Sequence, residues 1–227
     1  MFEFSFKGVK NASNFIAGID EAGRGPVIGP LIVCAATSSK NEEELAKIGV
    51  RDSKVLLPAK RESLFSELQN FCSFYFVILS AKELNVLMDK KSLNQIEAEA
   101  MVELMKKSKT KETIIDMPDR SLETFSKRLT DLGISKSSFK ASHKADQLFP
   151  IVSTASIGAK SVRELEIEKI KKDIGFDFGS GYPADPKTEK VLSDPEKRSK
   201  LQKYLRTKWK TLDKYSQDYK QKNLSDF

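Results

Sequence analysis

Histidine occurs once in this chain of 227 residues, at position 143, while cysteine occurs twice and tryptophan once. So few nitrogen and sulfur ligands cannot build a zinc centre of the usual kind. A serine or cysteine nucleophile activated by histidine would have to recruit His143, and no nucleophile elbow accompanies it. Cys34 and Cys72 stand inside apolar segments rather than in paired spacings, so a disulfide framework is excluded and both are expected to be buried and reduced. Long hydrophobic runs are also missing. The stretch Val27 to Ala36 is broken by Gly29 and Pro30 and falls short of the roughly 20 residues a membrane helix needs. The opening Met1 to Lys7 carries Glu3 and no apolar core, so no secretory signal is read and a cytoplasmic location is expected. No G-x-x-x-x-G-K-(S/T) is present, which removes a P-loop nucleotide site. There is neither an internal repeat nor a low-complexity tract.

With 39% hydrophobic residues, the chain can bury one substantial core and a smaller addition. Its net charge of +7 is unevenly placed: residues 186 to 222 hold 12 Lys or Arg against 5 Asp or Glu, so the remainder sums to zero. A basic segment on a neutral body points to a polyanionic partner, with Lys203, Arg206, Lys208 and Lys210 as candidate contacts to a duplex backbone. A solvated helical surface would give the same composition.

Strand-like and helix-like segments alternate. Phe15 to Asp20 and Leu31 to Thr37 read as strands flanking a glycine-rich turn. Pro58 to Asn70 is amphipathic and leads into a β-rich run, Phe71 to Leu79. A helix follows over about Ser92 to Lys107, then a short strand ending at Asp116, then a helix over Leu122 to Leu132 closed by Gly133. Phe139 to Lys144 reads as a further strand. A long helix then runs from about Phe149 or Ile151 to Asp173, ended by Gly175. This pattern gives an α/β core, and the Gly/Pro/Asp-rich loop 175 to 186 leads to a basic helical region.

Two strands therefore end in acids, Asp20 with Glu21 and Asp116, while Asp146 sits where Lys144-Ala145 enters a helix. Carboxylates at adjacent strand ends converge in space and repel one another unless a cation bridges them. All-oxygen ligands select Mg²⁺ or Mn²⁺. The glycine turn Gly23-Arg24-Gly25 adds backbone donors and a phosphate-seeking cation beside them.

The chain resembles type 2 ribonuclease H (ribonuclease HII) in its single-chain archaeal form, from about Phe15 to Trp209. The resemblance rests on Gly18-Ile19-Asp20-Glu21-Ala22-Gly23-Arg24-Gly25, Asp52-Ser53-Lys54, Ser92-Leu93-Asn94, Ile115-Asp116, His143-Lys144-Ala145-Asp146 with Phe149-Pro150, and Ser153-Thr154-Ala155-Ser156-Ile157. Gly179-Ser180-Gly181-Tyr182-Pro183 with Asp185-Pro186, and Arg206 with Trp209-Lys210-Thr211, complete it in order. Met117-Pro118 departs from the small residues more usual after the third acid.

The resemblance implies a ribonuclease H-like mixed sheet flanked by helices, with a C-terminal helical appendage. It divides the chain into an N-terminal extension (1–14), a catalytic domain (15–175), a basic helical region (176–220) and a tail (221–227). It implies endonucleolytic cleavage of RNA in RNA/DNA hybrids, and 5′ of single ribonucleotides in duplex DNA, leaving 3′-hydroxyl and 5′-phosphate ends. Those are the tasks of primer removal and ribonucleotide excision repair. Asp20, Glu21, Asp116 and Asp146 would be the catalytic carboxylates and would hold two metal ions. Gly23, Arg24 and Gly25 would sense the 2′-hydroxyl and meet a phosphate, and Tyr182 would stack on the deoxyribose past the RNA-to-DNA junction. Lys54, Asn94, Ser153 and Ser156 are candidate backbone-phosphate contacts or braces of the site, and either serine could instead cap the long helix. His143 either contacts substrate or packs.

A hybrid-binding module without catalysis would lack one or more of the four acids, and all four are present. The final seven residues match a Gln-x-x-aliphatic-x-x-Phe spacing through Gln221, Leu224 and Phe227. This resembles the box that docks on the sliding clamp of DNA replication (PCNA), without the box's usual second aromatic. A monomer is expected.

Overall fold

The computed structural model describes residues 5–6, 16–50 and 57–215, and of Ser5 and Phe6 the backbone alone. The segment Asp52-Ser53-Lys54 and the tail with Gln221, Leu224 and Phe227 lie outside the described residues.

Among the described residues six strands form one mixed sheet: β1 (Ser5–Phe6), β2 (Ile16–Ala22), β3 (Leu31–Ser38), β4 (Cys72–Leu79), β5 (Glu112–Asp116) and β6 (Phe139–Ser142), in spatial order β1-β4-β3-β2-β5-β6. Strands β2, β3 and β4 form an antiparallel meander, whereas β5 runs parallel to β2 and β6 parallel to β5. All eight residues of β3 are buried, as a central strand covered on both faces demands.

The strand period of two divides the core. Ile32, Cys34 and Ala36 face one way with Phe74, Phe76 and Ile78, beneath α1 (Glu42–Lys47), α2 (Pro58–Leu68) and α7 (Pro150–Ile174). Leu31, Val33 and Ala35 face the other way, against α3 (Ala81–Leu87), α4 (Leu93–Ser108) and α5 (Leu122–Asp131). Between β6 and α7 lies the single turn α6 (Ala145–Leu148), and α8 (Pro186–Ser193) and α9 (Pro195–Lys200) follow.

The long elements fall within a few residues of the sequence reading. The short helices α1 and α3 escape it because six or seven residues carry too little periodicity. Their signal is local: Asn41 with Glu44, and Ser80 with Glu83, are capping boxes that satisfy both the cap and the third helical amide. Cys34 and Cys72 are buried and unbonded, as expected.

The C-terminal region is packed against the body. Leu192, Leu201 and Leu205 close a third apolar cluster with Val27 and Ile28 of the glycine turn and with Ile167 and Ile170 of α7. Arg206 N donates to the Val27 carbonyl at 2.9 Å and Gly29 N to the Tyr204 carbonyl at 3.0 Å, so this region holds the turn from behind.

Candidate metal centre and substrate loop

The parallel pairing of β2 with β5 runs to Ile19 opposite Ile115, which sets Asp20 and Asp116 side by side at the next register position. Both strands end there. Asp116 Oδ1 accepts a hydrogen bond from Ala145 N at 2.9 Å and so ties the first turn of α6 to the end of β5. Lys144 turns the chain into that helix in the left-handed region, with φ of 56°. Asp146 thereby joins the strand-end acids, and one carboxylate oxygen from each of Asp20, Asp116 and Asp146 lies within 4.8 Å of the other two. Pro118 leaves this geometry intact, because Met117 N donates to the Ser142 carbonyl at 3.0 Å and extends the β5–β6 ladder by one residue.

Burial pushes the Asp20 carboxyl from its usual 3.8 up to about 7; the Ser156 hydroxyl draws it down, Asp116 adds to the rise, and Lys160 opposes it. Glu21 is raised well above the carboxylate range by burial and by the charges of Asp20 and Asp116. Its Oε2 is buried and meets no donor. An orphaned carboxylate oxygen beside three converging acids fits a hard divalent cation better than it fits a structural hydrogen-bond cluster.

Next to the acids opens a cleft of about 840 Å³ lined by Glu21, Gly23, Arg24, Gly25, Arg163 and Tyr182, among others. Gly23 sits at φ of 88°, in the left-handed region that favours glycine. A Cβ there would lie 2.5 Å from Arg163 Nε and 2.6 Å from the Pro30 carbonyl. Gly25 faces Tyr182, whose ring would meet an added Cβ at 3.4 Å. Tyr182 is 40% exposed, so its ring is open to a ligand.

Several expected contacts are placed differently. Arg24 forms an ion pair with the fully buried Glu97 and donates to Asn94 Oδ1 at 2.7 Å. Asn94 in turn donates to Asp119, so both residues are engaged in a protein network beside a second, smaller cavity. Ser153 and Ser156 are fully buried. Ser153 donates to the Val50 carbonyl and Ser156 stands against Asp20, so bracing is the reading their burial supports. Neither caps α7, which begins with Pro150 and has no side-chain cap. Arg206, expected on the surface, is fully buried. Lys203 pairs with Asp173 and Lys208 with Asp89, so the basic segment presents fewer unpaired cations than its composition suggests. His143 is exposed, with Nε2 3.4 Å from the Arg120 carbonyl, and does not pack into a core.

Glu97, Lys160 and Arg163 are absent from the sequence reading. Two of them had a signal: Glu97 falls in the apolar stripe Leu93, Ala100, Leu104, and Arg163 in the stripe Ala159, Ile167, Ile170. A charge at helical spacing among buried apolar residues marks a buried polar contact.

Comparison with known proteins agrees with this geometry. The family model for ribonuclease HII matches residues 17–212. Ribonuclease HII of Pyrococcus abyssi is 40% identical over 214 residues, covering 92% of this chain and 95% of that protein. Ribonuclease HII of Archaeoglobus fulgidus, solved in complex with PCNA, superposes with a TM-score of 0.80 at 39% identity, covering 86% of this chain and 95% of that one. Bst-RNase HIII, solved with Mn²⁺, shares the fold at a TM-score of 0.77 and 20% identity, over 92% of this chain and 71% of its own.

Proposed function

The chain belongs to the ribonuclease HII family and is a metal-dependent endonuclease acting on the RNA strand of RNA/DNA hybrids; on that premise we propose that it also cuts 5′ of single ribonucleotides embedded in duplex DNA. The observation that carries the reading is the trio Asp20, Asp116 and Asp146 converging beside a cleft walled by Gly23, Gly25 and Tyr182.

Asp20, Glu21, Asp116 and Asp146 would hold two divalent ions, Mg²⁺ or Mn²⁺. Such ions, when bound, lower the pKa of an attacking water and neutralise the leaving oxygen, giving 3′-hydroxyl and 5′-phosphate products. Asp116 fixes the approach of α6 through Ala145, Ser156 stands beside Asp20, and Asp20 and Asp146 are buried while Glu21 and Asp116 stay half-buried. Gly23 and Gly25 let backbone amides approach a ribose 2′-hydroxyl, and Tyr182 supports the next sugar when it is a deoxyribose. Arg24 is aimed by Glu97 and Asn94, and Lys54, which matches the family motif, would contact a phosphate. This selectivity suits primer removal and ribonucleotide excision repair. Residues 15–175 would then form the catalytic unit and 176–220 its support.

The test is a duplex with one embedded ribonucleotide, incubated with Mg²⁺, with Mn²⁺ and with chelator; cleavage in chelator would sink the reading. Tyr182→Ala should lower kcat/KM on that substrate about tenfold more than on a continuous hybrid, because only the former depends on a stacked deoxyribose. Equal losses on both would make Tyr182 structural.

The PCNA complex of the Archaeoglobus relative supports a clamp role for Gln221, Leu224 and Phe227. The expected result is micromolar binding of the full-length protein to its cognate clamp by calorimetry, lost in the Leu224→Ala/Phe227→Ala double variant. Binding unaffected by deletion of residues 221–227 would assign the clamp contact elsewhere.

A further inference from the structure

Two arginines lie behind the Gly23–Gly25 loop, and neither forms an ion pair among the described residues; Glu164, whose charge reaches Arg163, is paired with Arg61. Arg206 is 0% exposed and Arg163 is 8% exposed. The hydrogen bonds they make go to backbone carbonyls: Arg206 Nε to Gly29 at 2.8 Å, Arg206 Nη1 to Arg24 at 3.3 Å, and Arg163 Nη2 to Ser180 at 2.9 Å. Arg206 Nη2 and Arg163 Nε are buried and donate to nothing. Each guanidinium also lies near an aromatic ring, Arg206 4.9 Å from the centroid of Trp209 and Arg163 5.1 Å from that of Tyr182. Burial and the charge of Arg163 pull Arg206 down to about 9, and burial lowers Arg163 as well; a guanidinium nevertheless stays charged inside a protein.

Burying two like charges that form no ion pair is unfavourable, and apolar residues would fill the same space at less cost in stability. Their contacts show what they are placed for. Arg163 packs on Gly23, Arg206 holds the Arg24 carbonyl, and Gly25 lies against the Tyr182 ring that Arg163 stacks upon. Every member of the loop, and Tyr182 with it, is therefore touched by one of the two arginines or by the ring that one of them holds.

We propose that Arg206 and Arg163 are positioning residues for nucleic-acid recognition. From behind, they fix the loop backbone and the plane of Tyr182, and their unpaired positive charge draws a phosphodiester to the loop's front without touching it. This rests on the reading that the loop and Tyr182 meet the sugar–phosphate backbone.

Trp209 is the sole tryptophan, so its emission reports on the Arg206 guanidinium stacked against it. The full-length protein, held in chelator, is titrated with a duplex carrying one embedded ribonucleotide. The wild type should show a saturable change in emission. In Arg206→Lys, checked for an intact melting transition, that change should be lost. In the presence of metal, kcat/KM should fall about tenfold, mainly through KM, because an ammonium cannot hold both carbonyls in a fork. A surviving emission change, or an unmoved KM, overturns the proposal. If Arg206→Lys does not fold, Arg163→Lys is read for the same rise in KM. Arg24→Gln and Tyr182→Ala separate the two levels. Should they raise KM while the buried arginine variant does not, the positioning role alone fails; should they also leave KM unmoved, the loop reading has failed.

Discussion

Asp116→Asn is expected to abolish cleavage, lowering turnover by about a thousandfold or more, the scale on which loss of an electrostatic stabiliser acts. The variant should stay folded. The bond that Asp116 makes to the start of α6, from Ala145 N to Oδ1, is one an amide oxygen accepts equally well. What disappears is a charge that adds to the rise burial already imposes on Asp20, to about 7, and on Glu21, well above its usual range. A carboxyl whose folded pKa exceeds its unfolded value binds extra protons on folding, so metal-free stability is fully present below about 4 and declines as pH rises toward 7. Removing Asp116 should flatten that decline and raise the melting temperature near neutrality in chelator. Single-turnover assays with Mg²⁺ and Mn²⁺, alongside melting curves across that window, check both halves. Near wild-type turnover in a folded variant would remove Asp116 from the metal centre, and a flat wild-type profile would mean that Asp20 titrates normally.

The strand-end acids were legible in the sequence because a short apolar run that stops at a carboxylate is a local pattern, and parallel strands bring such ends together. Asp146 was legible through its neighbours, although its approach depends on the left-handed turn at Lys144, which no periodicity announces. The engagement of Arg24 was not legible. Its partner Glu97 lies 73 residues away, on a helix whose polarity pattern gives one misplaced acid as the only hint. Ser153 and Ser156 read equally as phosphate contacts, braces of the site or helix caps, because sequence does not say which face of α7 is buried; they are fully buried on a helix that packs against β2 and β3, which supports bracing.

Charge composition misled most in the C-terminal region. A net +7 over residues 186 to 222 reads as a surface for phosphates, but composition does not say which cations are buried or paired. Arg206 is spent inside the molecule, and Lys203 and Lys208 are matched by Asp173 and Asp89 from the body. Exposed pairs of that kind contribute little to stability, but they do reduce the charge offered to a duplex.

Gly18→Ala is expected to be the most damaging single added methyl group among the described glycines. Gly18 lies on β2 two residues before Asp20, on the same side of the strand, where the first turn of α7 crosses it. A Cβ at this position would lie 2.6 Å from Val152 N and closer still to the Ile151 carbonyl. Both are backbone atoms of a helix whose buried face packs across β2 and β3, so neither can rotate aside. The helix must lift as a unit, at a cost of about 3 kcal/mol, the upper end of overpacking effects, or roughly 10 °C in melting temperature. Lifting α7 also moves Ser156 away from Asp20 and shifts α6, which carries Asp146, so activity should fall about a hundredfold even where the protein remains folded. Gly158→Ala supplies the contrast. There the added carbon meets the Phe74 ring at 2.9 Å and Cys34 Sγ at 3.0 Å, side-chain atoms that can shift, and the loss should be smaller on both measures. A Gly18→Ala protein that melts at or above Gly158→Ala and retains turnover would show that α7 can move off β2 without disturbing the acids, and the rigid link between that helix and the metal centre would have to be given up.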